Sequence, residues 1–290
     1  MKIGDLLQSS EYKQKFVLEK FIQDTLQISR EEMWMQIDQE LTSSESDLIL
    51  RNYHSYVVDK KPMEYILWHV DFFWIPFSVN ENTLIPRPET EYMITAVTEY
   101  TKETFSAESQ WILLDIWTGC WVLWISVLLQ NPDAYNQIFF SDISTGALFV
   151  AKDNYKNLIE QYYSVEFLQS DLVAFINDYA LPIDRKITLV ANLPYIPNET
   201  FDTNSPDNVQ KREPRMAFVG WDDWLDYYRQ MFNQLFSFHD NWKIWDLMMF
   251  LEMMTRQVDI LKSEFWDRLD FSEVKTFHFN IRIVKATWKN

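Results

Sequence analysis

Four polar residues stand at the ends of short apolar runs. Asp115 is the last residue but one of WILLDI, Asp142 closes QIFFSD, Asp171 follows SVEFLQS, and Asn192 follows ITLVA in the string VANLPYIP. If those runs are parallel strands, their carboxyl ends form the edge at which open α/β sheets bind ligands. An acidic residue ending the second strand can accept both ribose hydroxyls of a nucleoside cofactor. The plainer role for Asp142 is a cap for the helix starting near Ser144. Asp171 has the same two options, an acceptor on the adenine side or another cap. The turn from Asp115 to Trp121 leads from strand into helix, where backbone N–H groups can face a ligand or simply close a turn. The Asn192 string is the most specific. Its side-chain oxygen and a nearby backbone carbonyl can each accept one N–H of a planar NH2 group. That would hold the nitrogen in line with a sulfonium methyl and stabilise the charge developing on it. Leu193-Pro194 sets an extended turn, and Tyr195 offers a ring to stack on the planar group. Such parts suit methyl transfer to an amide or an aryl amine. The alternative is an ordinary Asn-x-Pro turn with Tyr195 in the core.

These residues can meet only if strands and helices alternate, and the chain reads that way from residue 111 onward. WILLDI, QIFFSDI, SVEFLQSDL, ITLVANL and DLMMFLEM read as strands with helical stretches among them. Strands separated by helices pair in parallel through right-handed crossovers. FSEVKTFHF and IRIVKAT end the chain with only a short connection, so one of them is antiparallel. The expectation for 88–290 is a doubly wound, mostly parallel seven-stranded α/β sheet with a C-terminal antiparallel hairpin. Residues 1–67 read as a small helical domain. Phe16, Val17, Phe21, Ile22 and Leu26 form a helical stripe, Ser29 and Glu32 a capping box, and Ser43 or Ser44 a further cap. Residues 68–87 are aromatic and β-branched around a turn-like centre, and read as a hairpin or linker. LVAFINDY follows the third strand and precedes ITLVANL.

The net charge of -17 argues against a non-specific grip on nucleic acid, which needs clustered Lys and Arg. No apolar run of about 18 residues suggests a membrane span, and the first residues lack the apolar core of a signal peptide. The single cysteine, Cys120, cannot form an internal disulfide, which suits a reducing cytoplasm. One Cys with four scattered His (His54, His69, His239, His278) gives no metal site. Cys120 has no neighbouring His to activate it as a nucleophile. A monomer is expected.

Taken together the strings PMEYIL (62–67), LIPRPETE (84–91), LLDI-x-TG (113–119), SDIS-x-x-AL-x-VAK-x-N (141–154), NLPYIP (192–197), EPR-x-A (213–217) and LEM-x-x-x-Q (251–257) resemble the HemK-type glutamine methyltransferases of peptide chain release factors. That resemblance implies a helical N-terminal domain for substrate recognition and a Rossmann-like domain binding S-adenosylmethionine. It places the cofactor against Asp115, Trp117, Thr118, Gly119, Trp121, Asp142, Ile143, Asp171, Leu172 and Asn192. It assigns catalysis to Asn192, Pro194 and Tyr195, and substrate contacts to these with Leu193, Arg87, Pro88 and Glu89. The plainer role for Arg87 and Glu89 is an interdomain ion pair. The implied substrate is a release factor presenting a Gly-Gly-Gln loop. An Asn-Leu-Pro-Tyr string also resembles rRNA adenine dimethyltransferases, so an adenine amino methyltransferase is the alternative, though PRPETE and the helical domain do not suit it.

One departure is large. Where the family has glycine, this chain has Trp68, Trp74, Trp117, Trp121, Trp221 and Trp224, with Trp124 and Trp245 weaker cases. It holds 4 Gly and 13 Trp, and the two together approach the roughly 20 glycines of average usage. An indole in the 117–121 loop would occupy cofactor volume and strain the backbone. Either the chain is a relative that has lost cofactor binding, or a UGA codon read as tryptophan in the written sequence is read as glycine in the cell. Replacement by one bulky residue throughout favours the second explanation, since drift would scatter the losses. Trp34 and Trp111 do not sit at family glycines.

Overall fold

The computed structural model describes residues 1–106, 111–120, 122–161, 163–179, 181, 185–220, 224–242, 246–276 and 281–289. They form two compact units, Met1–Trp68 with Asp207–Arg212, and His69–Pro206 with Glu213–Asn290. No helix among them is long and apolar enough to cross a membrane.

The first unit holds helices α1 (Ile3–Gln8), α2 (Lys15–Leu26), α3 (Arg30–Met35), α4 (Ser43–Val57) and α5 (Met63–Leu67). Leu18, Phe21, Ile22, Met33 and Ile49 form its core. Phe16 stands outside the buried stripe, exposed to solvent with Lys20 near its ring. Ser29 Oγ accepts the Glu32 N–H at 3.1 Å while the Glu32 carboxylate accepts the Ser29 N–H at 2.7 Å, the capping box read from sequence. The cap of α4 is Thr42 rather than Ser43 or Ser44. Only Thr42 has a Glu three residues on, and Glu45 takes its N–H at 2.7 Å.

The second unit opens with a hairpin, β1 (His69–Phe72) and β2 (Ile75–Ser78), then helix α6 (Glu91–Thr104). β3 (Trp111–Ile116), α7 (Val122–Gln130), β4 (Tyr135–Asp142), α8 (Thr145–Leu158), β5 (Ser164–Gln169) and β6 (Ile187–Ala191) follow. Two short helices come next, α9 (Asn198–Asn204) and, in the first unit, α10 (Asp207–Arg212). α11 (Asp226–Trp242), β7 (Leu247–Met254), α12 (Thr255–Glu264), β8 (Leu269–Thr276) and β9 (Ile281–Trp288) complete the chain. The seven-stranded sheet runs β5-β4-β3-β6-β7-β9-β8. Its first five strands are parallel, and β9 is antiparallel to both neighbours, as the alternation of elements indicates. β3 and β6 are buried along their whole length, as strands covered on both faces must be. LVAFINDY makes a single 3-10 turn, Ala174–Asn177, preceded by Leu172 in a left-handed conformation.

The strand order reverses between β3 and β6, and such a switch point opens a crevice at the carboxyl ends. Ile116 and Ala191 are register partners there. The loop after β3 and the Asn192 turn after β6 are therefore neighbours.

Eight described residues other than glycine have positive φ, and four are tryptophans: Trp68, Trp74, Trp117 and Trp224, all at φ 65 or 66°. Bulky residues in this region are outliers, because Cβ crowds the following carbonyl at about 1–2 kcal/mol per residue. Each position is a turn that glycine serves best. Trp68 ends α5 in the left-handed cap. Phe73-Trp74 is a two-residue hairpin loop with both φ positive, the type I′ geometry that favours Asn-Gly. Trp117 begins the turn between β3 and α7, and Trp224 lies just before α11. Trp34, Trp111 and Trp124 show no such backbone, and Trp124 is fully buried within α7. Trp121, Trp221 and Trp245 lie outside the described residues.

Candidate functional site

β3 carries Asp115 to the crevice, where it is almost wholly buried. Burial pushes its carboxyl up to about 8, against the hydrogen-bonding pull of Thr118. The loop beyond it is tied to β4, since Trp117 and Thr118 both donate backbone N–H to the Ser141 carbonyl, at 2.8 and 3.1 Å. Asp142 braces two turns at once. Its Oδ2 accepts the Gly119 N–H at 2.9 Å and its Oδ1 accepts the Ser144 N–H at 2.8 Å. Burial raises its pKa despite these donors. The α8 cap is Ser144, whose Oγ accepts the Ala147 N–H at 3.2 Å, so Asp142 is not needed for that role. A carboxylate with about four lone-pair sites keeps capacity for further donors.

A cavity at this crevice is lined by Arg87, Thr90, Trp117, Gly119, Asp142 and Asn192, among others. Thr118 also faces it. Asp115, Leu193, Pro194 and Tyr195 are not on its wall. Ile143 is exposed, and Leu172 is buried at φ 54°. Asp171 is exposed and accepts a hydrogen bond from Gln230 Nε2 at 2.5 Å. None of these three lines the cavity. Pro88 and Glu89 form a 3-10 turn with Thr90. Arg87 pairs with Glu213 at 2.6 Å, and both belong to the second unit, so this is no interdomain pair. The other Glu213 oxygen accepts the Ile85 N–H at 3.1 Å, which anchors the IPRPE segment along the cavity. Cys120 is buried, and burial raises its thiol to about 12, so it is inert as a nucleophile.

Three residues join the site that sequence reasoning did not single out, namely Thr90, Glu213 and Glu252. Glu252 interrupts the apolar run of β7 two residues before its end and is 2% exposed. Its Oε1 accepts from the Tyr195 hydroxyl at 3.0 Å and its Oε2 from the Thr90 hydroxyl at 3.1 Å. Burial raises the Glu252 carboxyl to about 7, Glu89 adds to the rise, and Tyr195, Thr90 and Asn192 pull it down. The Tyr195 phenol is held well above its ordinary value, by burial and then by Glu252. Asn192 Nδ2 faces Thr90 Oγ1 at 3.5 Å. The Asn192 turn is held from outside as well. Gln257 Nε2 donates to the Tyr195 carbonyl at 3.3 Å, and the Gly220 N–H to the Ile196 carbonyl at 3.2 Å. A Cβ on Gly220 would meet the Pro194 carbonyl at 2.3 Å, so only glycine lets the two segments pack. Polar end-of-strand placement, the signal that marks Asp115 and Asn192, would also have found Glu252.

The polar groups suit a ribose-bearing cofactor, with buried Asp142 and the Thr118-Gly119 loop on the cavity wall. The room does not suit it. The cavity measures about 70 Å³, against roughly 300–1,000 Å³ for pockets that hold drug-sized ligands. The Trp117 indole is part of its wall, with its ring centroid 4.8 Å from that of Tyr227. With tryptophan at 117 the site does not take the whole cofactor.

No family model matches the chain. The release factor glutamine methyltransferase of Bacillus anthracis is 33% identical over 210 residues, covering 72% of this chain and 70% of that protein. The Flavobacterium psychrophilum enzyme of the same name is 35% identical over 60% of this chain and 57% of its own. Among solved structures, the human METTL16 catalytic domain with a MAT2A 3′UTR hairpin matches over 97% of this chain and 94% of that one, at 13% identity and a TM-score of 0.53. The N-terminal domain of human METTL16 in complex with SAH matches over 97% of both chains, at 12% identity and a TM-score of 0.51. At such identities the two structures show a shared fold alone.

Proposed function

This chain belongs to the release factor glutamine methyltransferase family, and from that premise we propose that it methylates the side-chain amide nitrogen of a release-factor glutamine, in a Gly-Gly-Gln loop, with S-adenosylmethionine as donor. The observation that carries the proposal is the meeting of Asn192 with Asp142 and the Thr118-Gly119 loop around one cavity at the switch point of the sheet. Asn192 Oδ1 and a backbone carbonyl of the 192–195 turn accept the two N–H groups of the glutamine amide. Both acceptors gain strength as positive charge develops on the nitrogen. Tyr195 is anchored at its hydroxyl by Glu252 and braces the turn. The cofactor supplies the methyl group, and Asp142 is the acceptor for its ribose. Arg87, Pro88 and Glu89 frame the entrance for the loop, and the helical unit recognises the rest of the release factor. The activity belongs to a cavity without an indole at 117, and so to the form with glycine there. Incubation of full-length protein from its own cells with methyl-labelled S-adenosylmethionine and a release factor tests this. Label on the glutamine supports the assignment. Label on RNA or DNA adenine instead, or a release factor left unlabelled, overturns it.

A further inference from the structure

We infer that Thr90 and Glu252 are positioning residues that decide which end of the Asn192 carboxamide faces the substrate. The inference rests on the amide-holding role given to Asn192 above. An ionised carboxylate only accepts hydrogen bonds, and a hydroxyl has one proton to give. Thr90 spends that proton on Glu252 Oε2 at 3.1 Å. Its oxygen can then only accept from Asn192, and Asn192 Nδ2 is the atom that faces it, at 3.5 Å. The other Glu252 oxygen is taken by the Tyr195 hydroxyl at 3.0 Å, so both carboxylate oxygens are held, and the Tyr228 hydroxyl fixes the strand there by donating to the Glu252 backbone carbonyl. With Nδ2 held inward toward acceptors, Asn192 Oδ1 points outward. That is the polarity needed to receive an N–H from a glutamine amide. The reversed carboxamide would set NH2 against NH2.

The chain of donors has a direction because its far end is an anion. A neutral group at 252 can donate to Thr90. Thr90 would then pass its own proton to Asn192, and the carboxamide would turn over. Glu252→Gln does this at any pH, and protonation of Glu252 does it in acid. The groups facing the carboxyl are Glu89 from the 3-10 turn, Tyr195 and Asn192 from the turn after β6, and Tyr228 from α11. Burial and Glu89 place its titration at about 7.

The test uses full-length protein from its own cells and variants made in the same gene. Glu252→Gln and Thr90→Val should each lower kcat for release-factor methylation by roughly tenfold to a thousandfold, the range for loss of one well-aimed polar partner. KM for the release factor should change little, and Thr90→Ser, which keeps the hydroxyl, should recover most of the rate. The acid limb of kcat near pH 7 should be absent from Glu252→Gln. A second readout needs no turnover. In the parent, the side-chain amide resonances of Asn192 should shift as pH passes through 7, and in Glu252→Gln they should not. Parent-like kcat in folded Glu252→Gln and Thr90→Val, or Asn192 resonances indifferent to pH in the parent, would overturn the inference. A parent that never methylates glutamine would instead overturn the function, and the resonance readout would still judge the hydrogen-bond chain.

Discussion

Replacing Trp74 by glycine should make the protein more stable, the reverse of the usual result of deleting an indole. Trp74 is 98% exposed, so its removal gives up almost no buried surface. Its backbone sits at φ 66°, the second position of the type I′ loop between β1 and β2. Relief of that conformation is worth about 1–2 kcal/mol, and the extra freedom of glycine in the unfolded chain takes back about 0.5–1 kcal/mol. The net expectation is a gain of about 0.5–1 kcal/mol. Trp34→Gly is the matched control. It is 49% exposed and lies within α3, so it loses part of a buried ring. It also puts glycine inside a helix, for a combined loss of about 1–2 kcal/mol. Urea unfolding followed by far-UV circular dichroism reads both, at unchanged slope. A Trp74→Gly midpoint that falls as far as that of Trp34→Gly would refute the assignment of glycine geometry to this turn. If the cell does read these codons as glycine, the intact mass of the native protein will be lower than the written sequence by one tryptophan-to-glycine difference at each such position.

Three further outcomes follow from the site. Calorimetry should find no measurable S-adenosylmethionine binding to the chain as written, and measurable binding once Trp117 and Trp121 are both glycine; a folded double variant that still fails to bind would remove the loop from the cofactor site. In the glycine form, Asn192→Ala should cost roughly 10²–10³ in kcat while cofactor affinity stays near that of the parent, and unchanged turnover would take Asn192 out of the chemistry. Glu252 holds its proton up to about 7 when folded, against an ordinary value of 4.5. Folded protein therefore binds the proton that unfolded protein has released between these values, and stability falls as pH rises through that window, by about 3 kcal/mol in all. Glu252→Gln should flatten that slope in pH-dependent melting. Asp115, raised from 3.8 to about 8, leaves a slope of its own that the variant should retain.

How far the site could be read from sequence depended on what held each residue in place. Asp115, Asp142 and Asn192 end strands, and the geometry of a parallel sheet brings strand ends to one edge whatever the loops do. Asp171, Ile143 and Leu172 stand in loops after the strands, whose course the sheet does not fix, and none of them lines the cavity. Thr90 and Glu252 stand in the strings LIPRPETE and LEM-x-x-x-Q, and Glu252 is a polar residue near a strand end, but their pairing across 162 residues has no local signal in the sequence. The α4 cap is Thr42 rather than Ser43 or Ser44 because three hydroxyls stand in a row and only Thr42 has a Glu three residues on. The tryptophans were visible in composition, and the backbone supplies the physical reason they stand out. Four of them occupy turns whose dihedral angles suit a residue without a side chain.

Mass analysis of the peptide around the release-factor glutamine, after incubation with S-adenosylmethionine and the protein in its glycine form, tests the central claim most directly. One added methyl group on that side-chain amide, missing when Asn192→Ala is used, is the expected result. An unmodified glutamine beside a folded, cofactor-bound protein would contradict it.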